Sequence, residues 1–178
     1  MGDRLTREQV ERIVREAWEK GEQTVVVGRD GRLSSQSLTE ELVRGLRESG
    51  RDVIDIGQVP TPVVYFATHY LNARSAVMVT GSHNAPDYNG LKLVLQGEAL
   101  AEEGIQQIYQ RIQSADYSVG EGSYMEQNLT ADYSARIHAD AQFKRSLKVE
   151  LRILGSKAIL AIENSLLHTI KIIHPIFQ

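Results

Sequence analysis

Runs of apolar and β-branched residues alternate with helical stripes along the first 115 residues of the chain. The runs 24–27, 52–56, 75–79 and 91–95 predict buried strands. Amphipathic helices are predicted from apolar stripes at Val10, Ile13, Val14, Ala17 and Trp18, at Leu38, Leu42, Val43 and Leu46, from Pro62 to Tyr70, and at Ile105, Ile108 and Ile112. After the first helix the order β-α-β-α-β-β-α predicts an α/β layered domain with a mixed, mainly parallel sheet.

Turn-forming residues separate these elements. Gly50 is placed to stop the second helix and Pro62 to open the third. Segments 28–32 and 57–62 read as turns, whereas 80–90 is a longer polar loop between two strands.

Composition excludes several classes of function. The net charge is −3, which argues against a nucleic-acid surface. The chain has no cysteine, so disulfides and thiolate metal sites are excluded. No run approaches the roughly 18 apolar residues of a membrane span, and the N-terminus lacks the apolar core of a signal peptide. We therefore expect a cytoplasmic protein without a membrane partner.

The loop 80–90 holds the candidate chemistry. Ser82 directly follows a predicted strand, and ligands of open α/β sheets collect beyond the carboxyl ends of strands. Three interpretations stay open: a hydroxyl that only satisfies turn backbone, a hydrolase nucleophile with His83 as base, or a phosphoryl carrier. The second lacks the Gly-x-Ser-x-Gly elbow. For the third, His83 and Lys92 are close enough in sequence to balance the added charge.

Ordered blocks of sequence resemble one enzyme family. Residues 80–92, Thr-Gly-Ser-His-Asn-Ala-Pro-Asp-Tyr-Asn-Gly-Leu-Lys, resemble the active-site loop of the α-D-phosphohexomutases, the bacterial phosphomannomutase/phosphoglucomutase family. Blocks at 27–34, 50–57 and 59–62 resemble the same family in its order and spacing. The resemblance covers residues 24–115 and, more weakly, extends to 145, with the fold of phosphohexomutase domain I.

The resemblance implies a reaction and a site. Ser82 would be a phosphoserine that interconverts the 1- and 6-phosphates of mannose or glucose through a bisphosphate intermediate. His83 would hold substrate or phosphoryl oxygens, and Lys92 would transfer a proton or stabilise charge. Asn84 and Arg29 would bind substrate or brace the loop. Mg²⁺ would bind through a phosphate oxygen on Ser82.

The chain departs from the family pattern in three places. It lacks the first strand with its Tyr-Asp-Ile-Arg-Gly-like motif, so we expect a neighbouring strand to expose an edge. Ala85 stands where the family usually has proline. From about residue 150 the sequence loses the resemblance, and the only Asp-Gly pair is Asp30-Gly31, whereas the family binds its metal with an Asp-Gly-Asp-Gly-Asp-Arg loop.

These departures set the expected domains. Residues 1–145 would be phosphohexomutase domain I without its first strand, and 146–178 an aberrant or truncated start of domain II. The coding sequence would be truncated or frameshifted near Val149. We expect the chain alone to have little or no mutase activity.

Other interpretations stay open beside this one. The alternative function is a catalytically inactive α/β fragment that binds sugar phosphate weakly, or self-associates through the exposed sheet edge or the apolar tail. Arg29 and Arg32 flank Asp30 and form either a solvated turn or a substrate contact. The remaining histidines have no metal-ligand spacing and are expected to be structural: His69, His138, His168 and His174.

Overall fold

A computed structural model describes residues 23–100, 104–106, 110, 119–141, 147–153 and 156–162 of the chain. The chain divides into two compact units, Met1–Thr130 and Ala131–Gln178. The predicted first helix, positions Ile108 and Ile112 of the predicted last helix, and the tail after residue 162 lie outside the described residues. Residues 104–106 and 110 are helical.

One mixed sheet forms the centre of the first unit. Its strands are β1 (Thr24–Arg29), β2 (Asp52–Gln58), β3 (Ser75–Val79), β4 (Leu91–Leu95), β5 (Glu98–Ala99) and β6 (Tyr124–Glu126). Their order in the sheet is β5-β4-β3-β1-β2-β6. The pairs β1–β2, β1–β3 and β2–β6 are parallel, whereas β3–β4 and β4–β5 are antiparallel. The predicted α/β class with a mixed, mainly parallel sheet is confirmed.

Helices α1 (Ser35–Glu48) and α2 (Thr61–Tyr70) pack on opposite faces of this sheet. Successive residues of a strand point to opposite faces of the sheet, so the contacts of neighbouring β1 residues show which helix covers each face. Val25 and Val27 belong to one buried cluster with Leu42 and Leu46 of α1. Gly28 faces the other way, where a Cβ atom would overlap Val64 of α2.

Two predicted turns begin later than the sequence indicated. Gly28 and Arg29 belong to β1 because they continue its ladder with β3, and Gly57 and Gln58 belong to β2. Gly57 takes a φ of +74°, and the β1–β2 register shifts beside it between Val27 and Arg29. The predicted helix boundaries hold: α1 ends before Gly50, and Pro62 lies in the first turn of α2.

The strand β6 was not predicted. It pairs with part of β2, and all its residues are exposed. Gly122 leads into it so close to the backbone of Arg51 that a Cβ atom would overlap the Arg51 carbonyl group. Within the described residues β6 is the outermost strand on that side of the sheet.

The second unit contains most of helix α3 (Thr130–Asp140) and two strands, β7 (Leu147–Ile153) and β8 (Ser156–Ile162). The two strands pair antiparallel along their whole length. Over the stretches of chain described above, no helix has both the length and the apolar character that a membrane crossing requires.

Candidate functional site

The candidate site lies at the carboxyl ends of the neighbouring parallel strands β1 and β3. The turn 30–34 follows β1, and the loop 80–90 follows β3 and returns antiparallel as β4. The amide of Thr80 donates to the carbonyl oxygen of Gly90 at 2.9 Å, which closes the loop at its base. The Asp30 amide donates to the Val79 carbonyl oxygen at 2.9 Å and ties the turn to the same place.

Arg32 reaches from the turn into the loop and hydrogen-bonds its carbonyl oxygens. Nη1 donates to Ala85 at 2.5 Å and to Tyr88 at 3.1 Å, and Nη2 donates to Ser82 at 3.1 Å and to Asn84 at 2.8 Å. The Arg32 side chain is only 15% exposed, so the solvated-turn interpretation of this residue was wrong. One side chain thus fixes the path of nearly the whole loop.

Asp30 collects the hydrogen-bond donors of the same region. Its Oδ2 accepts the Arg32 Nε–H at 3.2 Å and the Gly81 amide at 3.2 Å, and its Oδ1 accepts the Ser35 hydroxyl at 2.5 Å. Burial raises the pKa of this carboxyl, but hydrogen bonds from Ser35, Arg32, Thr80 and Gly81 outweigh burial and hold the pKa below its ordinary value. Asp30 is therefore an anion that anchors the start of the loop.

Ser82 has a constrained backbone and an exposed position. Its φ is +53°, in the left-handed region that L residues rarely occupy. Its amide donates to Thr80 Oγ1 at 3.0 Å, and its carbonyl oxygen accepts from Arg32. Such a strained conformation persists only where the surrounding contacts hold it, and residues of this kind cluster at functional sites.

Close approach of backbone requires glycine at position 81. A Cβ atom there would overlap the Arg32 Cζ atom and the Tyr88 carbonyl oxygen. The far end of the loop is attached separately, where the Ser34 hydroxyl donates to Asn89 Oδ1 at 2.8 Å. The loop is thus fastened to the segment before α1 at both ends.

The structure brings four of the five residues named from the sequence into this loop and its base. His83 and Asn84 are exposed beside Ser82, and Asn84 donates its amide to the Gly81 carbonyl oxygen at 3.1 Å. Lys92 lies on β4, opposite Met78 and just below the Thr80–Gly90 hydrogen bond. Leu91 and Leu93 pack toward the α1 core, so Lys92 lies on the other face of the sheet, exposed.

Arg29, the fifth named residue, lies elsewhere. Its Nη1 is 3.7 Å from Asp55 Oδ1, and both residues line a polar cleft of about 300 Å³ beside β6. The Tyr124 hydroxyl shares its one hydrogen between Glu126 Oε1 at 2.9 Å and Asp55 Oδ2 at 3.3 Å. Burial, followed by the hydrogen bond to Glu126 and the charge of Asp55, raises the pKa of Tyr124.

The described residues do not fit a complete metal centre. Within them no group of three or more His, Asp or Glu side chains converges on one point. Asp30, the carboxylate that binds the loop from the turn after β1, already accepts several hydrogen bonds. Mg²⁺ prefers several oxygen ligands in near-octahedral geometry, which a phosphate on Ser82 would not supply alone.

Sequence reasoning missed the roles of Asp30 and Arg32. A signal was present, since an Asp-x-Arg turn directly follows the carboxyl end of a predicted strand. The turn and the loop are fifty residues apart, however, and only the parallel pairing of β1 with β3 brings them together.

Comparison with known proteins places this arrangement in a family. Residues 2–118 match the family described as phosphoglucomutase/phosphomannomutase, alpha/beta/alpha domain I. The chain is 44% identical over 153 residues to the phosphomannomutase/phosphoglucomutase of Pseudomonas aeruginosa, which covers 84% of this chain and 33% of the relative. It is 39% identical over 141 residues to the phosphoglucomutase of Neisseria meningitidis serogroup B. This alignment covers 78% of this chain and 31% of the relative.

A solved structure agrees with the sequence comparisons. A phosphoglucomutase/phosphomannomutase family protein from Burkholderia thailandensis superposes with a TM-score of 0.74 and 41% identity, over 82% of this chain and 34% of that one. The chain therefore spans about a third of the length of the relatives it matches. On the match of residues 2–118 and these identities, the chain belongs to the phosphoglucomutase/phosphomannomutase family and contains its domain I.

Proposed function

We propose that this chain carries the phosphoserine of a phosphohexomutase, with Ser82 exchanging a phosphoryl group with the 1- and 6-phosphates of mannose or glucose. The proposal rests on the placement of Ser82. Ser82 is exposed, and the backbone of its loop is hydrogen-bonded by Arg32 at a carbonyl oxygen and by Asp30 at an amide. Phosphoryl transfer depends on positioning and charge stabilisation, so a rigidly held carrier serves it directly.

The proposed reaction has two symmetrical steps. A sugar hydroxyl oxygen attacks the phosphorus of phosphorylated Ser82, the bond from phosphorus to Ser82 Oγ breaks, and the hydroxyl proton ends on Oγ. The resulting hexose bisphosphate then presents its other phosphate, and Ser82 Oγ attacks that phosphorus. The bond from this phosphorus to the sugar oxygen breaks, the Oγ proton ends on the sugar oxygen, and Ser82 is phosphorylated again. The sugar leaves with its phosphate at the other position, and Ser82 is unchanged overall.

We assign the neighbouring side chains to this reaction as follows. Lys92 transfers the proton of the sugar hydroxyl or, as an ammonium, stabilises the charge on the phosphoryl oxygens. His83 holds substrate or phosphoryl oxygens beside Ser82. Asn84 braces the loop, in which its backbone N–H donates to the Gly81 carbonyl oxygen. Arg29 would act on substrate from the cleft it shares with Asp55.

Mg²⁺ would neutralise phosphoryl charge when bound, and its expected contact with this chain is a phosphate oxygen on Ser82. Because the described residues supply no three-ligand cluster, we assign no step of the reaction to the metal.

The second candidate is an inactive fragment that binds sugar phosphate weakly or self-associates. The lack of a metal cluster in the described part of the chain favours it, as does the exposed edge strand β6. In a coupled assay with glucose 1-phosphate or mannose 1-phosphate, conversion to the 6-phosphate would exclude the inactive fragment and support the first candidate.

The direct test is the mass of the Ser82 peptide after the purified chain is incubated with Mg²⁺ and a hexose 1,6-bisphosphate. We expect one added phosphate on Ser82, absent from Ser82→Ala and from the control without bisphosphate. An unmodified Ser82 in a folded sample would leave the fragment interpretation standing.

A further inference from the structure

We infer that Arg32 is a positioning residue for Ser82: it draws the loop carbonyl groups inward and thereby turns the His83 amide outward, toward the phosphoryl group. This role rests on the proposed function of Ser82. It assigns two further groups to the site: the Arg32 guanidinium, which does not touch substrate, and the His83 backbone N–H, which binds the phosphoryl group.

The donors of Arg32 are fully occupied. A guanidinium group has five N–H donors, one on Nε and two on each Nη. Their acceptors are Asp30 Oδ2 and the carbonyl oxygens of Ser82, Asn84, Ala85 and Tyr88, at 2.5 to 3.2 Å. Arg32 therefore has no N–H left for a phosphate or a sugar hydroxyl. This count favours a positioning role over the substrate contact that the sequence left open.

The direction of the His83 amide follows from the peptide bond. The loop peptides are trans, and a trans peptide places its C=O and N–H on opposite sides. The Ser82 carbonyl oxygen points at Arg32 Nη2 from 3.1 Å, so the His83 N–H of the same unit points away from the guanidinium.

Ser82 and His83, the two residues that share this peptide unit, are both exposed. A backbone N–H fixed in advance next to the reacting hydroxyl can stabilise phosphoryl oxygens without reorganising during the reaction. Arg32, on the opposite side of the peptide, therefore fixes the His83 N–H in the direction in which it can bind the phosphate.

Lysine cannot replace Arg32 in this role. Its ammonium is a single point with three donors, whereas the guanidinium fork spans four carbonyl oxygens and a carboxylate. A free guanidinium ion, by contrast, has the right shape to enter the space that Arg32→Ala would leave.

The test uses the full chain with phosphoserine placed at position 82 by codon suppression, so it does not depend on the chain phosphorylating itself. The variants are Arg32→Ala and Arg32→Lys, with Arg136→Ala and Arg136→Lys as controls on an exposed helical ion pair with Asp140. Two readouts are compared with the chain that has unmodified Ser82: the His83 amide proton shift, and hydrogen exchange of the loop amides.

We expect phosphorylation to move the His83 amide proton downfield in the parent chain and in both Arg136 variants. In Arg32→Ala and Arg32→Lys the shift should be lost, and the Ser82, Asn84 and Tyr88 amides should exchange at least about tenfold faster, because even one lost hydrogen bond from a charged donor gives a factor of that size. Millimolar guanidinium chloride should restore the shift in Arg32→Ala, whereas sodium chloride should not.

Three results would overturn the inference. The first is a parent His83 amide that does not respond to the phosphate, and the second is a full shift with slow exchange in Arg32→Lys. The third, a failure of guanidinium to restore Arg32→Ala, would mean that Arg32 only stabilises the fold. If Ser82 takes no phosphate from the hexose 1,6-bisphosphate in the earlier mass experiment, the proposed function is refuted. The His83 shift and the loop exchange rates would still decide the role of Arg32.

Discussion

The Arg32 guanidinium and the Asp30 carboxylate, 3.2 Å apart, hold complementary groups of one loop. Arg32 binds carbonyl oxygens, whereas Asp30 binds the Gly81 amide and, through the Thr80 hydroxyl, supports the Ser82 amide. The two residues also neutralise each other, so neither brings an unpaired charge into the partly buried turn. The loop is thus held by both its donors and its acceptors.

Replacing Asp30 by Asn should destabilise the chain by about 1–3 kcal/mol at neutral pH, because hydrogen bonds to a charged carboxylate are lost or weakened. Urea unfolding of Asp30→Asn beside the parent chain measures this difference. Asp132→Asn, in the first turn of α3, serves as a control for the loss of one carboxylate.

The effect of Asp30→Asn should also depend on pH. The folded-state pKa of Asp30 lies below its ordinary value of 3.8. A lowered pKa means that the carboxylate contributes stability fully above 3.8 and loses the contribution as pH falls through the folded-state pKa. The difference in unfolding free energy between parent and variant should therefore shrink in acid. A difference that stays constant from neutral to acidic pH would contradict the assigned ionisation.

Gly81→Ala should disrupt the loop, because the added methyl group would overlap Arg32 and the Tyr88 carbonyl. We expect a cost of roughly 1–3 kcal/mol in unfolding free energy from this overpacking, together with faster proteolysis within the loop. Gly57→Ala is the matched control: Gly57 has a φ of +74° but open space around it. That variant should lose about 1 kcal/mol through backbone strain alone and leave loop proteolysis unchanged.

Ser82→Gly should be more stable than Ser82→Ala by about 1 kcal/mol, because glycine adopts the left-handed backbone without a Cβ penalty. The φ of +53° at Ser82 motivates this expectation. Both variants remove the hydroxyl, so their midpoints in urea isolate the backbone contribution. Equal midpoints would mean that Ser82 is not strained in solution.

Ala85→Pro should raise the unfolding free energy by about 0.5–1 kcal/mol through lower entropy of the unfolded chain. The hydrogen bonds at Ala85 are accepted by its carbonyl oxygen, from Arg32 and from the Tyr88 amide, and proline keeps that group. Differential scanning calorimetry of the variant and the parent measures the change. A lower midpoint would show that the backbone at this position does not accept the proline ring.

The sequence was informative where local pattern and burial agreed. The four long strands of the sheet are rich in apolar and β-branched residues, and their starts at Thr24, Asp52, Ser75 and Leu91 were predicted from that property. The strand β6 was missed because its residues are all exposed and it forms only against β2. Helix α3 was missed for a related reason, since it has no buried residue to mark a face.

The loop residues of the site could be predicted from the sequence, whereas the residue that holds the loop in place, Arg32, could not. Ser82, His83 and Lys92 stand in one contiguous motif, whereas Arg32 acts through contacts fifty or more residues along the chain. Such contacts depend on sheet order, which hydrophobic pattern does not specify. The position of Arg29 beside Asp55 likewise follows from the pairing of β1 with β2.

The hydrogen bond from Thr80 to Gly90 brings the entry and exit of the loop together at adjacent ends of β3 and β4. A segment joined to its scaffold through such a narrow neck can change length or composition without shifting the strands beneath it. The turn 30–34, however, belongs to the same structural unit by its bonds to the loop. Transplanting the loop into another α/β sheet would therefore require moving both pieces of chain as one cassette, on two adjacent parallel strands.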